Sequence, residues 1–332
     1  MFLLFLGLIF FTAISTSMGY LKIPVSDVLK VLAYEVTGDR SFVSQVNSVY
    51  QYVIWDVRLP RILTSLIVGA GLSICGVVFQ AILLNPLADP YTLGISAGAA
   101  FGGSIALLFD INWFGIYSVS IFAFLGALGT LIAVLGISRS SGTFSSHTLI
   151  LSGIIVSAIL SALISFIKYM ADEQVAVLIF WLMGSFVSKS WTDVAVTFSF
   201  VIAGFLVFLF FARELDIICL GDRTASSLGI DPERIRIILL ITASFVTAVC
   251  VSVSGIIGFI GLVVPHLMRF FFGSKSERLI PASALSGAIL LMGADTITRA
   301  FLPREVPIGV ITAIIGGPFF CYIFVKKSRS EY

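Results

Sequence analysis

An all-α integral membrane protein of about ten transmembrane helices is the fold class this sequence predicts, and three observations predict it. Charged residues make up 11% of the 332 and mean hydropathy is +1.10, whereas soluble domains run near 25% charged. At roughly 20 residues per crossing, the apolar stretches divide into about ten spans. They are long and lack the period-two polarity of a membrane barrel. The 29 glycines suit close helix approach in lipid. The whole of 1–332 reads as one transmembrane domain.

The N-terminal stretch Met1 to Met18 is apolar and lacks the basic start of a secretory signal. It reads as a first span, with a cleaved signal as the alternative. Tyr20 to Val57 is polar and mixed, long enough for a short surface helix. Spans then follow near 61–84, 92–109, 113–137, 148–169, 191–212, 234–252, 256–272, 279–300 and 307–325. Glu173 to Phe186 is apolar but short, which suits an interfacial helix better than a crossing.

One interruption stands apart. Arg213 to Arg236 carries nine charged residues in 24 positions. Asp222 is placed to cap a short helix over Arg223 to Leu228, which Gly229 would end in the left-handed conformation. Asp231-Pro232-Glu233 then opens a fresh helix as N-cap, first-turn proline and first-turn acid. A two-turn helix is unstable alone in water, so it must dock on its own domain or on a partner. An ordinary cytoplasmic loop is the alternative reading.

Lysine and arginine counts orient the chain. With both termini cytoplasmic, the inner segments hold eleven and the outer segments nine. Five of the outer nine (Lys22, Lys30, Arg40, Arg58 and Arg61) sit in the long first loop; without it the bias is eleven to four. This orientation puts Arg213–Arg236 in the cytoplasm.

No enzyme is legible. His147 and His266 are far apart, and there is no HExxH, GxSxG, paired-carboxylate or phosphate-cradling GxxxxGK[ST] pattern. Cys75, Cys219, Cys250 and Cys321 show neither disulfide nor zinc spacing. No catalytic residue, metal site or resident cofactor is therefore expected, and a net charge of +2 does not point to nucleic acid.

Among the spans, Gln80, Asp295 and Arg299 stand out, because ionisable or strongly polar groups at membrane depth are costly. Asp295 and Arg299 are four apart and can pair on one helix face. Arg58-Leu59-Pro60-Arg61 offers either interfacial anchors or bidentate donors to a partner's carboxylates. Asn85-Pro86-Leu87-Ala88-Asp89-Pro90 is a rigid turn between two spans, with Pro90 starting the next helix. A weak internal echo relates the segment opening at Gly76 to the one opening at Gly261, each joining an apolar helix end, a polar turn and a small-residue helix start; two related transporter halves would give such an echo, and chance similarity among glycine-rich spans is the alternative.

Five segments in this order, RLPR (58–61), GAGLSICGVVFQAILLNPLADPYTLGISAGA (69–99), LGDRTASSLGI (220–230), SGIIGFIGLVVPHLMR (254–269) and EVPIGVITAIIGGPFF (305–320), resemble the FecCD-like permease subunits of ABC importers for iron-siderophores, haem and cobalamin. The likeness runs over nearly the whole chain. It implies the type II importer permease architecture of ten helices in the cytoplasmic (inner) membrane, and a homodimer with the path on its two-fold axis. Two separate ATPase subunits would bind ATP and magnesium, and an extracytoplasmic substrate-binding protein would deliver cargo.

The resemblance also implies roles. Gly221, Asp222, Arg223, Thr224, Ala225, Ser226, Ser227, Leu228 and Gly229 would form the helix that couples to the ATPase. Arg58, Arg61 and Arg299 would dock the binding protein. Asn85, Leu87, Ser146 and His147 would close the path on the cytoplasmic side, where His147 departs from the small polar residues usual in the family. His266 falls in the common VPH segment, which favours a structural role. The rival expectation is a secondary transporter or channel working without ATP, which should show more intramembrane carboxylates than Asp295.

Overall fold

A computed structural model describes residues 1–140, 145–171, 175–302 and 306–330, with side chains to residue 321. Glu173, Arg304 and Glu305, which entered the sequence reading, lie outside the described residues. In chain order the helices are α1 (Phe2–Ser17), α2 (Val25–Thr37), α3 (Ser48–Tyr52), α4 (Leu59–Ile82), α5 (Ile95–Leu108), α6 (Ser118–Ser140), α7 (Ser146–Met170) and α8 (Val175–Leu182). There follow α9 (Trp191–Phe210), α10 (Ala212–Ile218), α11 (Asp222–Ser227), α12 (Pro232–Ser254), α13 (Ile260–Phe272), α14 (Ser276–Phe301) and α15 (Ile308–Ser330). No strand occurs among the described residues.

Six of these, α4, α6, α7, α9, α12 and α14, are long and apolar enough to cross a membrane, and α1, α5, α13 and α15 contribute four shorter apolar helices. Ten apolar helices thus fall close to the ten apolar stretches, six of them long enough to cross. The short segment before Phe186 forms α8, eight residues long, too short to span.

The bundle is organised around α4. Its apolar stretch is 83% buried against 22% for α7 and α9, and it packs on α9, α12, α13 and α14. Glycine makes that centrality possible at two crossings. A Cβ on Gly76 would stand 1.8 Å from the carbonyl oxygen of Gly261 on α13, and one on Gly69 would stand 2.3 Å from that of Gly287 on α14. Backbones that approach this closely exclude any side chain. The glycines that open the two echoing segments therefore meet face to face.

The first loop is more built than its composition suggests. Beyond α2 it holds α3 and a π-helical segment, Val53–Arg58, that runs straight into α4. Ile23, Val28, Val31, Val46, Ile54 and Leu59 form a small separate core. Trp55 packs against Trp191 at the start of α9, ring centroids 4.8 Å apart and planes tilted by 42°. Few apolar residues at irregular spacing suffice, because the loop folds onto the end of the bundle rather than standing alone.

Candidate coupling and gating elements

The α11 helix exists, and its ends explain why six residues can hold a helical form. Its C-terminus closes with paired backbone bonds, Ile230 N–H to Ala225 O and Gly229 N–H to Ser226 O, each 3.1 Å. Gly229 sits at φ +80°, the left-handed residue this closure requires. Next, Asp231 caps α12 by accepting from the Arg234 N–H at 3.1 Å, with Pro232 at the first position. Ala225 alone of α11 is buried, held against α10 and α12. Arg223, Thr224, Ser226, Ser227 and Leu228 face outward, and Leu228 is 60% exposed.

One expectation here is corrected. Asp222 does not cap α11; Gly221 precedes the helix and Asp222 is its first residue. Its carboxylate is instead held by Arg236 on α12, Nη2 to Oδ1 at 2.9 Å and Nη1 to Oδ2 at 3.4 Å. Arg236 is 2% exposed, one of the largest fully buried side chains in the molecule. Its Nε donates at 3.1 Å to the Ile82 carbonyl at the end of α4.

The end of α4 carries the other expected cluster. Asn85 N–H bonds Gln80 O at 3.1 Å and Leu84 N–H bonds Ala81 O at 3.2 Å, the closure that ends α11 as well. Here the left-handed position is filled by Leu84, at φ +49°, a conformation that costs a branched side chain about 1–2 kcal/mol. Asn85 Oδ1 accepts from the Leu87 N–H at 2.9 Å and so fixes its own turn. Ser146, the first residue of α7, donates from Oγ to the Ile82 carbonyl at 3.1 Å. Leu87 and His147 are exposed. Of the four expected gate residues, the structure thus places Asn85 and Ser146 at one helix end and leaves Leu87 and His147 facing outward beside it.

Past the turn, Asp89 accepts from the Tyr91 and Thr92 N–H groups at 3.0 and 3.1 Å. Burial outweighs those donors and pushes its carboxyl up to about 6. A cavity of about 840 Å³ opens beside this turn, lined among others by Gln80, Asn85, Asp216, Cys219, Arg269 and Lys275. Arg269 bonds Gln80, whose amide donates on to the Gly261 carbonyl at 3.2 Å. Asp216 accepts from both the N–H and the Oγ of Ser276, at 3.0 and 2.6 Å, at the start of α14.

At the opposite end of α4 lie the three arginines expected to dock a binding protein. Arg58, Arg61 and Arg299 are turned inward; Arg58 is 4% and Arg61 8% exposed. Arg58 donates to the carbonyls of Thr16 (2.8 Å), Ser17 (3.2 Å) and Leu21. Arg299 donates to those of Ser15 and Met18, both at 2.8 Å. Apart from that of Leu21, which lies beyond α1, these are the carbonyls that the end of a helix leaves without intrahelical donors, so two arginines cap the C-terminus of α1. Arg61 meets Asp295 at 2.9 Å, and Arg299 lies 3.9 Å from the same carboxylate. The i,i+4 pair foreseen between Asp295 and Arg299 is present, but the shorter contact comes from Arg61, 234 positions away.

Because Asp295 is fully buried, truncating its nearest partner should be expensive. Arg61→Ala is expected to destabilise the protein by about 3–5 kcal/mol, while Arg61→Leu combined with Asp295→Leu should recover most of that loss. Thermal unfolding in detergent checks both; equal melting temperatures for Arg61→Ala and the parent would reject the clamp.

Sequence reasoning passed over Arg236, Arg269 and Asp216, counting them only as inner charges. A signal was available for the first: RIRIILL sets an arginine among span residues, and a charge at that depth needs a partner.

A model of the FecCD transport family matches residues 7–326. The molybdate import permease MolB of Haemophilus influenzae is 34% identical, the match covering 99% of this chain and 96% of that protein. The cobalamin import permease BtuC of Halobacterium salinarum is 40% identical, over 82% of this chain and 73% of its own length. A solved structure described as an inward-facing conformation of a metal-chelate type ABC transporter superposes with a TM-score of 0.85, at 34% identity and 98% coverage of both chains.

Proposed function

This chain belongs to the FecCD transport family, and from that premise we propose that it is the membrane-spanning permease subunit of an ATP-driven importer for metal chelates of the iron-siderophore, haem or cobalamin type. The observation that carries the reading is α11, a six-residue helix between two spans that buries only Ala225 and turns Leu228 outward. A short helix held so firmly at both ends, yet covered so little, is suited to seat in a groove of a separate ATPase subunit. Energy enters there, since the sequence offers no nucleotide-binding loop of its own.

In this reading both termini and the 213–236 segment are cytoplasmic, and a substrate-binding protein docks on the outer face. Two copies assemble about the path. α7 supports that assembly, for Leu151, Ile154, Ile155 and Ile159 stand uncovered along it, a face suited to a second copy or to lipid. The Asn85 and Ser146 elements gate the cytoplasmic side.

The chelate class rests on the metal-chelate transporter and the cobalamin permease among the similar proteins. The molybdate permease keeps a small oxyanion as the second reading. A carrier working without ATP is disfavoured by the structure around Asp295. Among the described residues it is the one fully buried carboxylate in a span, and two arginines neutralise it, so it is poorly placed to exchange protons or sodium.

The test is uptake into proteoliposomes holding this chain, its ATPase and its binding protein. ATP-dependent accumulation of a labelled ferric siderophore, haem or cobalamin is expected. Accumulation of molybdate instead would select the oxyanion reading, and uptake without ATP would reject the importer.

A further inference from the structure

We propose that Arg236 is the positioning residue through which a displacement of α11 reaches the cytoplasmic gate, by way of the Ile82 carbonyl that it shares with Ser146. The proposal rests on the importer reading above and adds to it the physical link between the coupling helix and the gate.

Three observations carry it. The carbonyls of Phe79, Gln80 and Ala81 in the last turn of α4 all have backbone donors, from Leu83, Asn85 and Leu84. The Ile82 carbonyl accepts instead from two side chains that belong to different parts of the molecule: Arg236 Nε at 3.1 Å and Ser146 Oγ at 3.1 Å. A carbonyl oxygen has two lone pairs, so both donors fit at once.

The second observation is the state of Arg236 itself. Nε faces Ile82 while Nη1 and Nη2 face the two oxygens of Asp222. A guanidinium is a rigid planar fork, so a pull at Asp222 turns the Nε–H at the other edge. Burial leaves that side chain at 2% exposure, with little room to absorb the pull by bending elsewhere.

The third is the contrast between the two ends of the link. The Asp222 side chain is 57% exposed and belongs to the outward-facing helix. A partner seated on α11 would exclude water from the Asp222–Arg236 pair and strengthen its attraction, drawing Arg236 away from Ile82. At the far end, Ser145 and Thr148 cap α7 reciprocally, so the start of α7 moves as one piece with Ser146. What α11 feels is thereby registered at the turn that Asn85 fixes and at the start of α7.

The experiment compares Arg236→Lys, Asp222→Asn, Ser146→Ala and the Arg236→Lys/Asp222→Asn double variant in proteoliposomes containing the ATPase and binding protein. The readout is substrate accumulated per ATP hydrolysed, beside the melting temperature of each purified complex. Lysine keeps the charge but not the fork, and Asp222→Asn removes the charge while keeping the side-chain shape; because both changes touch the pair that holds the buried Arg236, the melting temperature separates lost coupling from lost stability. Each single variant is expected to lower the ratio about 5-fold or more, the lower end of ordinary coupling strengths. The double variant should be no worse than its poorer parent, because both changes cut one link.

Ratios that stay at the parental value, that fall only in step with melting temperature, or that multiply in the double variant would overturn the relay. Such results in an assembled, ATP-driven parent leave the importer reading intact. A parent chain that binds no ATPase would overturn that reading instead.

Discussion

Leu228→Asp is expected to abolish ATPase binding and substrate-stimulated ATP turnover, with membrane insertion unchanged. Leu228 ends α11 and is 60% exposed, a large apolar group that stands out with Leu220, 66% exposed, from exposed neighbours that are mostly polar or charged. Burying a leucine against a partner contributes about 1.5–3 kcal/mol, and each 1.4 kcal/mol is tenfold in affinity. Losing that contact alone weakens the complex about 10- to 100-fold, and a carboxylate desolvated in its place weakens it further. Because Leu228 is not part of the folded core, the variant should reach the membrane and melt as the parent does. Affinity chromatography of the ATPase on the tagged permease, together with ATP turnover in the presence of binding protein, checks the prediction. Gly229→Val should resemble it by another route, since a β-branched residue at φ +80° opposes the closure that shapes the helix.

Gly76→Val is expected to have the largest effect on folding. A Cβ there would lie 1.8 Å from the Gly261 carbonyl oxygen and 2.7 Å from its Cα. These are backbone atoms of α13, so no side chain can swing aside; α4 and α13 must separate. Overpacking a core usually costs about 1–3 kcal/mol where side chains can yield, and here the cost should exceed that range. The crossing also holds Gln80, whose amide bonds the Gly261 carbonyl, so separation breaks that bond as well. Gly129→Ala is the control: nothing lies within 4 Å of a Cβ at Gly129, and alanine in a helix is favoured over glycine by about 1 kcal/mol. Fluorescence-detected gel filtration after graded heating should show little folded Gly76→Val protein and a Gly129→Ala variant at least as stable as its parent.

The ten spans were legible because bilayer thickness dictates their length and composition, and the observed helices fall close to the apolar stretches. The α11–α12 junction was legible for a similar reason: Gly229 and Asp231-Pro232-Glu233 act on their own backbone, within a few residues. What the sequence withheld is who meets whom at long range. Arg58 and Arg299 bond backbone carbonyls of α1, and carbonyls carry no sequence signature. Asp222 looked like a cap because caps are local, whereas its actual partner, Arg236, lies 14 positions on, across a reversal of the chain. The arginine motif was visible and its inward direction was not, because that direction depends on where α1 returns against α4 and α14.

The central claim is that α11 is the point at which a separate ATPase grips this permease. The most direct measurement is cross-linking in native membranes, with Leu228→Cys in a chain whose exposed Cys219 and Cys321 are replaced by serine, against single cysteines scanned across the surface of the ATPase. The account predicts a disulfide confined to one groove of the ATPase, with a yield that changes when nucleotide is added. No cross-link from Leu228→Cys to any ATPase position, in a complex that still takes up substrate with ATP, would contradict it.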